Sequence, residues 1–142
     1  MAADTLYQKI ILEHNKNPRN FGELAGDCFY GERDNPVCGD QVKLMLRVNR
    51  NNILETAKFT ARGCALCIAS ASMLTEIITQ KPVAEVKQII AHVFSVFQNT
   101  LPANQLERYG DFYALKGVLE YPVRIKCVLL CWHALDDILD SI

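Results

Sequence analysis

The sequence predicts an α+β fold in which helices pack on one face of a small three-stranded antiparallel sheet. Two observations predict this class. Between residues 41 and 61, apolar residues alternate with polar ones on either side of an Asn-rich turn, which is typical of a hairpin of half-buried strands. After Gly63 the apolar period becomes helical. Strands and helices that are segregated along a chain favour an α+β architecture.

The first half of the chain predicts one helix followed by three strands. Apolar residues at helical spacing predict a helix from Thr5 to about Asn15, which ends before Asn17-Pro18 because a residue preceding proline avoids the helical conformation. A first strand is predicted from Gly26 to about Asp34. The second and third strands, Gln41–Asn49 and Ile53–Ala61, form the hairpin.

The second half predicts three helices and one irregular stretch. The first helix follows Gly63 and ends near Lys81. Pro82 is predicted within the first turn of the next helix, where its missing N–H costs nothing. Residues 99–121 are predicted to be irregular, with one short turn around residues 104–108. Pro122 opens the last helix.

Composition excludes several classes of function. The chain has 142 residues and a formal net charge of -1, and it contains no basic run, so a nucleic-acid partner is not expected. No apolar stretch approaches the roughly 20 residues of a membrane span, and the N-terminus does not resemble a signal peptide. We expect a cytoplasmic protein with one domain, residues 1–142.

Six cysteines are the unusual feature of the composition. In a reducing compartment they indicate metal or sulfur chemistry rather than disulfides, although free cysteines also pack as small apolar residues. Cys38, Cys64 and Cys127 fall at the ends of predicted elements, where side chains can converge. Asp40 can join Cys38 because Gly39 permits a tight turn.

Three thiolates and a carboxylate suit a tetrahedral zinc site, and thiolates are equally the ligands of iron–sulfur clusters. Cys64 precedes a predicted helix, whose N-terminus favours a thiolate. Residue types alone leave a metal site and a chance occurrence about equally open.

Three strings of residues resemble the U-type iron–sulfur scaffold family, which includes IscU, the NifU N-terminal domain and SufU. They are Asn35–Asp40, Arg62–Cys64 and Arg124–Cys127. The family's N-terminal pattern is matched by His14, the segment Asn17–Asn20 and Gly22. The resemblance runs over nearly the whole chain in the same order. It implies an α+β sandwich with a three-stranded antiparallel sheet, in agreement with the periodicity.

Within this family the chain is more similar to the SufU branch. Lys126 stands where IscU-type proteins carry a histidine, and the segment Tyr121–Lys126 replaces their chaperone-docking string Leu-Pro-Pro-Val-Lys. The stretch between Asn99 and Tyr121 is also similar to an insertion of the SufU branch. A dedicated handover to an Hsp70-type chaperone is therefore not expected.

The resemblance implies a set of ligands and roles. Zn²⁺, or alternatively iron or a [2Fe–2S] or other iron–sulfur cluster, would be bound by Cys38, Asp40, Cys64 and Cys127. Cys38 would accept sulfur from a SufS-like cysteine desulfurase, and apo iron–sulfur proteins or carrier proteins would receive the product. Arg124, one helical turn before Cys127, would steady a thiolate or persulfide.

The expected function is iron–sulfur cluster assembly, by accepting persulfide sulfur, by scaffolding a nascent cluster, or by both. One alternative is a zinc-dependent sulfurtransferase that never holds a cluster, and another is a purely structural zinc domain. A third alternative is a thiol oxidoreductase that uses Cys64 and Cys67, which form a Cys-x-x-Cys pair at a helix start. Whether the chain is an enzyme, acting as a sulfurtransferase, or only a scaffold and sulfur acceptor stays open.

The remaining cysteines and histidines allow both functional and packing interpretations. Cys67 and Cys131 would be extra ligands or a persulfide relay, although two small buried helix residues are the favoured interpretation. Cys28 is expected to pack within the first strand. His14 would face a partner, cap its helix or lie at the surface. His92 is expected to be solvated, and His133 to lie nearly opposite Cys127 on its helix.

Overall fold

The structure, a computed structural model, describes residues 2–142. An antiparallel sheet with strand order β1-β2-β3-β4 is covered by helices, so the predicted α+β class is confirmed. The elements in chain order are α1 Ala2–Lys16, β1 Phe29–Asn35, β2 Asp40–Val48, β3 Ile53–Arg62, α2 Ala65–Ile78, β4 Lys81–Pro82, α3 Val83–Phe97, a 3₁₀ segment Ala103–Glu120, and α4 Pro122–Asp140. None of the helices within this part of the chain is long and apolar enough to cross a membrane.

The fourth strand was not predicted. It comprises only Lys81 and Pro82, which pair with Leu54 and Ile53. Pro82 has an extended backbone and caps α3, which begins at Val83, so the proline lies just before the helix rather than inside its first turn. A two-residue strand is too short to show the alternation that identifies strands in a sequence.

The helices form two layers on one face of the sheet. Helix α4 packs on β1 and β2, and α2 packs on β3, whereas α1 lies on α2 and α3 lies on α4. Helix α2 is buried around most of its circumference, because it contacts sheet and helices at once. The two helices that carry Cys64 and Cys127 at their starts are therefore the two that lie directly against the sheet.

Residues 103–120 form a 3₁₀ segment, so the prediction of a largely irregular stretch was wrong. The segment is interrupted at Tyr109 and Gly110, where the backbone leaves helical geometry. Its large buried apolar residues are separated by multiples of three: Leu106, Phe112, Leu115 and Val118. The small residue Ala114 is buried as well, outside this spacing. Side chains three apart line up in a 3₁₀ helix, so a search for a period of three would have found this segment.

His14 ties three elements together in the interior. Its side chain is only 1% exposed. The ring is hydrogen-bonded to Ser72 Oγ of α2 at 2.7 Å and to Asp111 of the 3₁₀ segment at 2.8 Å. Ser72 Oγ also accepts the Arg19 backbone N–H at 2.8 Å. His14 therefore fixes α1 onto α2, and the expectation of a partner-facing or surface histidine was wrong.

We expect His14→Ala to lower the free energy of unfolding by about 1–3 kcal/mol, because the substitution leaves buried hydrogen-bonding groups without a partner. Denaturant unfolding measures this quantity. His133→Ala is the matched control, since His133 is exposed and stacks on Phe94 at the surface; a change within about 0.5 kcal/mol is expected there. Equal losses for the two variants would contradict the role given to His14.

Candidate metal and sulfur site

The turn between β1 and β2 presents Cys38. Asn35 shapes this turn, because its Oδ1 accepts the Val37 N–H at 3.2 Å and its backbone oxygen accepts the Gly39 N–H at 2.7 Å. Gly39 has φ +74°, a left-handed conformation that glycine adopts without strain. Cys38 is consequently exposed at the tip of the turn, whereas Asp40, the first residue of β2, is fully buried.

The junction between β3 and α2 brings Cys64 to Asp40. Asp40 Oδ1 accepts the Cys64 backbone N–H at 2.9 Å, and Asp40 Oδ2 lies 3.9 Å from Cys64 Sγ. Gly63 makes this approach possible: it has φ +149°, and a Cβ there would lie 2.9 Å from Asp40 Cγ and 3.0 Å from Asp40 Cα. Cys64 is the N-cap of α2 and is exposed.

Helix α4 contributes Cys127 from its second turn. Cys127 is buried, and one ligand atom from each of Cys38, Asp40 and Cys127 lies within 4.8 Å of the others. The predicted fourth member, Cys64, is outside this group of three, but its thiol lies beside Asp40 as described above. The structure thus brings the four predicted side chains to one place, with Cys64 at its edge.

Burial raises the pKa of the Cys127 thiol above its ordinary value, and hydrogen bonds with Asp40 and the charge of Cys64 raise it further. A buried site with several potential negative charges favours neutral thiols. A bound cation would reverse this preference, because it stabilises thiolates.

Two observations test whether these residues fit a metal: the spacing of the ligand atoms and one buried hydrogen-bond donor without a partner. Sulfur atoms bound to a tetrahedral zinc ion lie roughly 3.8 Å apart, so ligand atoms within 4.8 Å of one another need only a small adjustment. Asn35 Nδ2 is buried and has no hydrogen-bond partner. Asn35 stands directly opposite Asp40 in the strand pairing, on the same face of the sheet. Its N–H groups suit a nearby anionic centre of thiolates, so the residues fit.

The thiols open onto a cleft of about 880 Å³ between α1, the 3₁₀ segment and α4, which Cys38, Cys64 and Cys127 line. Apolar side chains around the cleft and the Cys38 turn are unusually exposed: Leu12 59%, Val37 77%, Tyr121 49% and Val123 56%. Apolar side chains gathered around a reactive centre are typical of a surface that contacts another protein.

Arg124 also lines this cleft. Its guanidinium lies over the Tyr121 ring, with Cζ 4.7 Å from the ring centroid. Its predicted effect on a thiolate or persulfide stays a prediction. Lys126, at the position that distinguishes the SufU branch, is exposed.

The other cysteines lie outside the group. Cys67 and Cys131 are fully buried, as the packing interpretation requires, and burial raises the pKa of both thiols, that of Cys131 to about 12. Cys28 is half-buried and precedes β1 instead of lying within it. Among the histidines, His92 is half-buried and hydrogen-bonded to Tyr109 Oη at 2.6 Å, which corrects the expectation of a solvated side chain.

Sequence reasoning missed the roles of Asn35 and Gly63. Both belong to the strings that carry the family resemblance, and that membership was the available signal. Their contributions depend on strand pairing and on the close approach of Asp40, which a linear pattern does not contain.

A small α+β domain that gathers cysteines and an aspartate at one cleft has the form of a thiolate metal-binding or sulfur-handling protein. The chain matches the family described as "NifU-like N terminal domain" over residues 6–128, and it belongs to that family. The resemblance predicted from the sequence is thereby confirmed.

Two relatives and one solved structure illustrate the similarity. The chain is 40% identical over 133 residues to the zinc-dependent sulfurtransferase SufU of Bacillus subtilis, covering 94% of this chain and 88% of that protein. It is 32% identical over 132 residues to the iron–sulfur cluster assembly scaffold protein IscU of Streptococcus pyogenes, covering 93% and 81%. The crystal structure of a NifU-like protein (N-terminal) from Brucella abortus superposes with a TM-score of 0.85 at 24% identity, covering 98% and 95%; it supports the fold alone.

Proposed function

We propose that the chain is an iron–sulfur cluster assembly protein that accepts persulfide sulfur at Cys38 from a cysteine desulfurase. The observation that carries this proposal is the convergence of Cys38, Asp40 and Cys127 within 4.8 Å, with the exposed Cys64 beside Asp40. Similarity to proteins named as a sulfurtransferase and as an assembly scaffold supports the same assignment.

Cys38 is the acceptor because it is exposed at the tip of a turn. Its thiolate attacks the outer sulfur of the desulfurase persulfide, a new S–S bond forms at Cys38, and the desulfurase cysteine leaves as a thiolate. The exposed apolar residues around the cleft would contact the desulfurase. Asn35 Nδ2 would donate hydrogen bonds to the sulfur atoms gathered below the turn.

We assign Zn²⁺ as the resident ion, held by Cys38, Asp40, Cys64 and Cys127. When bound, it would keep the thiols as thiolates and so available for sulfur chemistry. The 40% identity to a protein named as zinc-dependent and Lys126 in place of histidine favour zinc in this chain.

An iron–sulfur cluster is the second candidate, as cargo assembled on the same thiolates for transfer to apo proteins or carriers. The identity to a named scaffold favours this reading. Asp40, a harder ligand than thiolate, would keep such a cluster labile. The cytoplasm, where reductants keep thiols free, is the compartment that suits either activity.

Desulfurase turnover tests the acceptor role. We expect the wild-type chain to increase alanine formation by a SufS-type cysteine desulfurase from L-cysteine, and Cys38→Ala to return it to the rate of the desulfurase alone. Cys28→Ser is the matched control, because Cys28 is a half-buried thiol outside the cleft, and it should retain full stimulation.

Each alternative gives a different result in that assay. If the chain is a structural zinc domain, neither the wild type nor Cys38→Ala stimulates the desulfurase. Metal removal would then unfold the chain. A thiol oxidoreductase based on Cys64 and Cys67 gives disulfide reduction that survives the loss of Cys38. Full stimulation by Cys38→Ala would refute the proposed acceptor.

A further inference from the structure

Cys67 lies beneath the proposed site and is not part of it. It follows Cys64 by one helical turn of α2, and its side chain is 0% exposed. Burial raises the pKa of its thiol, and the charges of Cys131, Asp40 and Cys64 raise it further, in that order of size. An exposed thiol is thus followed, one helical turn later, by a buried one.

The backbone positions of Cys64 and Cys67 are compatible with a disulfide between them. Cys64 is the N-cap of α2, with φ -73° and ψ 165°, and its side chain makes no capping hydrogen bond. Cys67 is the third residue of the helix, the position whose side chain reaches back toward the N-cap residue in a capping box. Positions three apart in a helix have Cα atoms about 5 Å apart, within the roughly 4.4–6.8 Å that a disulfide spans.

The direction of approach decides which sulfur of a persulfide Cys67 would meet. Cys64 is exposed and lines the cleft, so an added outer sulfur has room on the cleft side. Cys67 is fully buried and does not line the cleft, so it would approach from the core side. A nucleophile from that side meets the sulfur bonded to Cβ first, and the outer sulfur is the group free to leave.

We propose that Cys67, when no metal is bound at Cys64, is a resolving thiol that releases sulfide from a persulfide on Cys64. The inference rests on the proposed function, which supplies the sulfur: Cys38 persulfide and the Cys64 thiol exchange to give Cys38 thiol and Cys64 persulfide. A second activity, conversion of persulfide sulfur to sulfide, then belongs to the chain itself.

The resolving step balances without another reactant. The Cys67 sulfur attacks the inner sulfur of the Cys64 persulfide, and an S–S bond forms between Cys64 and Cys67 while the persulfide S–S bond breaks. The outer sulfur leaves with the electron pair and takes the Cys67 proton, as hydrogen sulfide. Two cysteine sulfurs are oxidised to a disulfide and one sulfur at oxidation state zero is reduced to sulfide. A dithiol reductant from solution resets the pair.

Persulfide loading without a desulfurase tests the step. The chain, stripped of metal with a chelator and fully reduced, is treated anaerobically with inorganic tetrasulfide, desalted, and followed by intact mass and by sulfide release. For the wild type we expect the gain of about 32 Da to disappear as sulfide appears, leaving a disulfide between Cys64 and Cys67, about 2 Da below the reduced mass. The release should be first-order, with a rate constant that is independent of protein concentration.

Cys67→Ser and Cys67→Ala should retain the added sulfur and release sulfide at least about tenfold more slowly, since only slower exchange between molecules remains. Cys131→Ser is the control for loss of an equally buried thiol and should match the wild type. Circular dichroism verifies that each variant is folded. If one of the two residue-67 variants does not fold, the other still provides the comparison.

Retention of persulfide by the wild type for as long as by the residue-67 variants would overturn the inference. So would an apparent first-order rate constant that rises with protein concentration, or a disulfide that joins other cysteines. Because tetrasulfide replaces the desulfurase, this result is independent of the turnover assay with Cys38→Ala, and failure of the one is distinguishable from failure of the other.

Discussion

Gly63→Ala is expected to lower zinc affinity roughly 100-fold, the upper end of what supporting residues contribute to a metal site. A methyl group at this position would collide with the Asp40 carboxylate and lie 3.0 Å from Asp40 Cα. Asp40 therefore has to move, although its carboxylate both accepts the Cys64 N–H and faces the other thiols. Competition against a chromogenic zinc chelator measures the affinity.

Gly22→Ala separates this collision from backbone strain. Gly22 has φ +131°, close to the φ of Gly63, but a Cβ there would have nothing within 4 Å. Both variants carry a conformational cost of about 1–3 kcal/mol, so both should lose stability. Zinc affinity should fall only for Gly63→Ala. Equal affinities for the two variants would show that the approach of Gly63 to Asp40 does not position the site.

Asp40→Asn is the second substitution with a large expected effect. The asparagine oxygen can still accept the Cys64 backbone N–H, so the junction between β3 and α2 is preserved. The negative charge and the carboxylate ligand are lost, and we expect zinc affinity to fall by roughly 100-fold or more, beyond the effect of an outer-shell residue. The increase in melting temperature that Zn²⁺ gives the wild type should shrink accordingly.

Asp34→Asn is the matched control for the loss of one carboxylate from the same hairpin. Asp34 is exposed and pairs with Gln41 one position away from the Asn35–Asp40 pair. Its substitution should leave zinc affinity and the zinc-dependent melting shift unchanged. If Asp40→Asn bound zinc as tightly as Asp34→Asn, Asp40 would not be a ligand.

Much of the fold was predictable because the relevant signals are local. Strands β2 and β3 alternate clearly, since one face packs against helices. The positions of Cys38, Cys64 and Cys127 at element ends, and the family strings around them, predicted which side chains would converge. These features depend on neighbouring residues and on spacing, which a sequence displays directly.

The features that were missed depend on contacts between distant parts of the chain. His14 is buried because its partners Ser72 and Asp111 lie 58 and 97 positions away. Met45 alternates with the apolar residues of β2 and shares its face with Lys43 and Arg47, yet it is buried. Its neighbours on that face, Lys43 and Arg47, hydrogen-bond to Glu23 and to the Ala25 carbonyl. The segment before β1 therefore runs across this face of the sheet.

Locating the transferred sulfur tests the acceptor assignment most directly. The chain is incubated anaerobically with a SufS-type desulfurase and L-cysteine, alkylated, digested and mapped by mass spectrometry, with Cys67→Ser used so that persulfide is retained. We expect an added mass of about 32 Da on Cys38, shared with Cys64 by exchange, and none on either residue after Cys38→Ala is introduced. Sulfur on Cys28, or sulfur on Cys64 that persists without Cys38, would contradict the acceptor assignment.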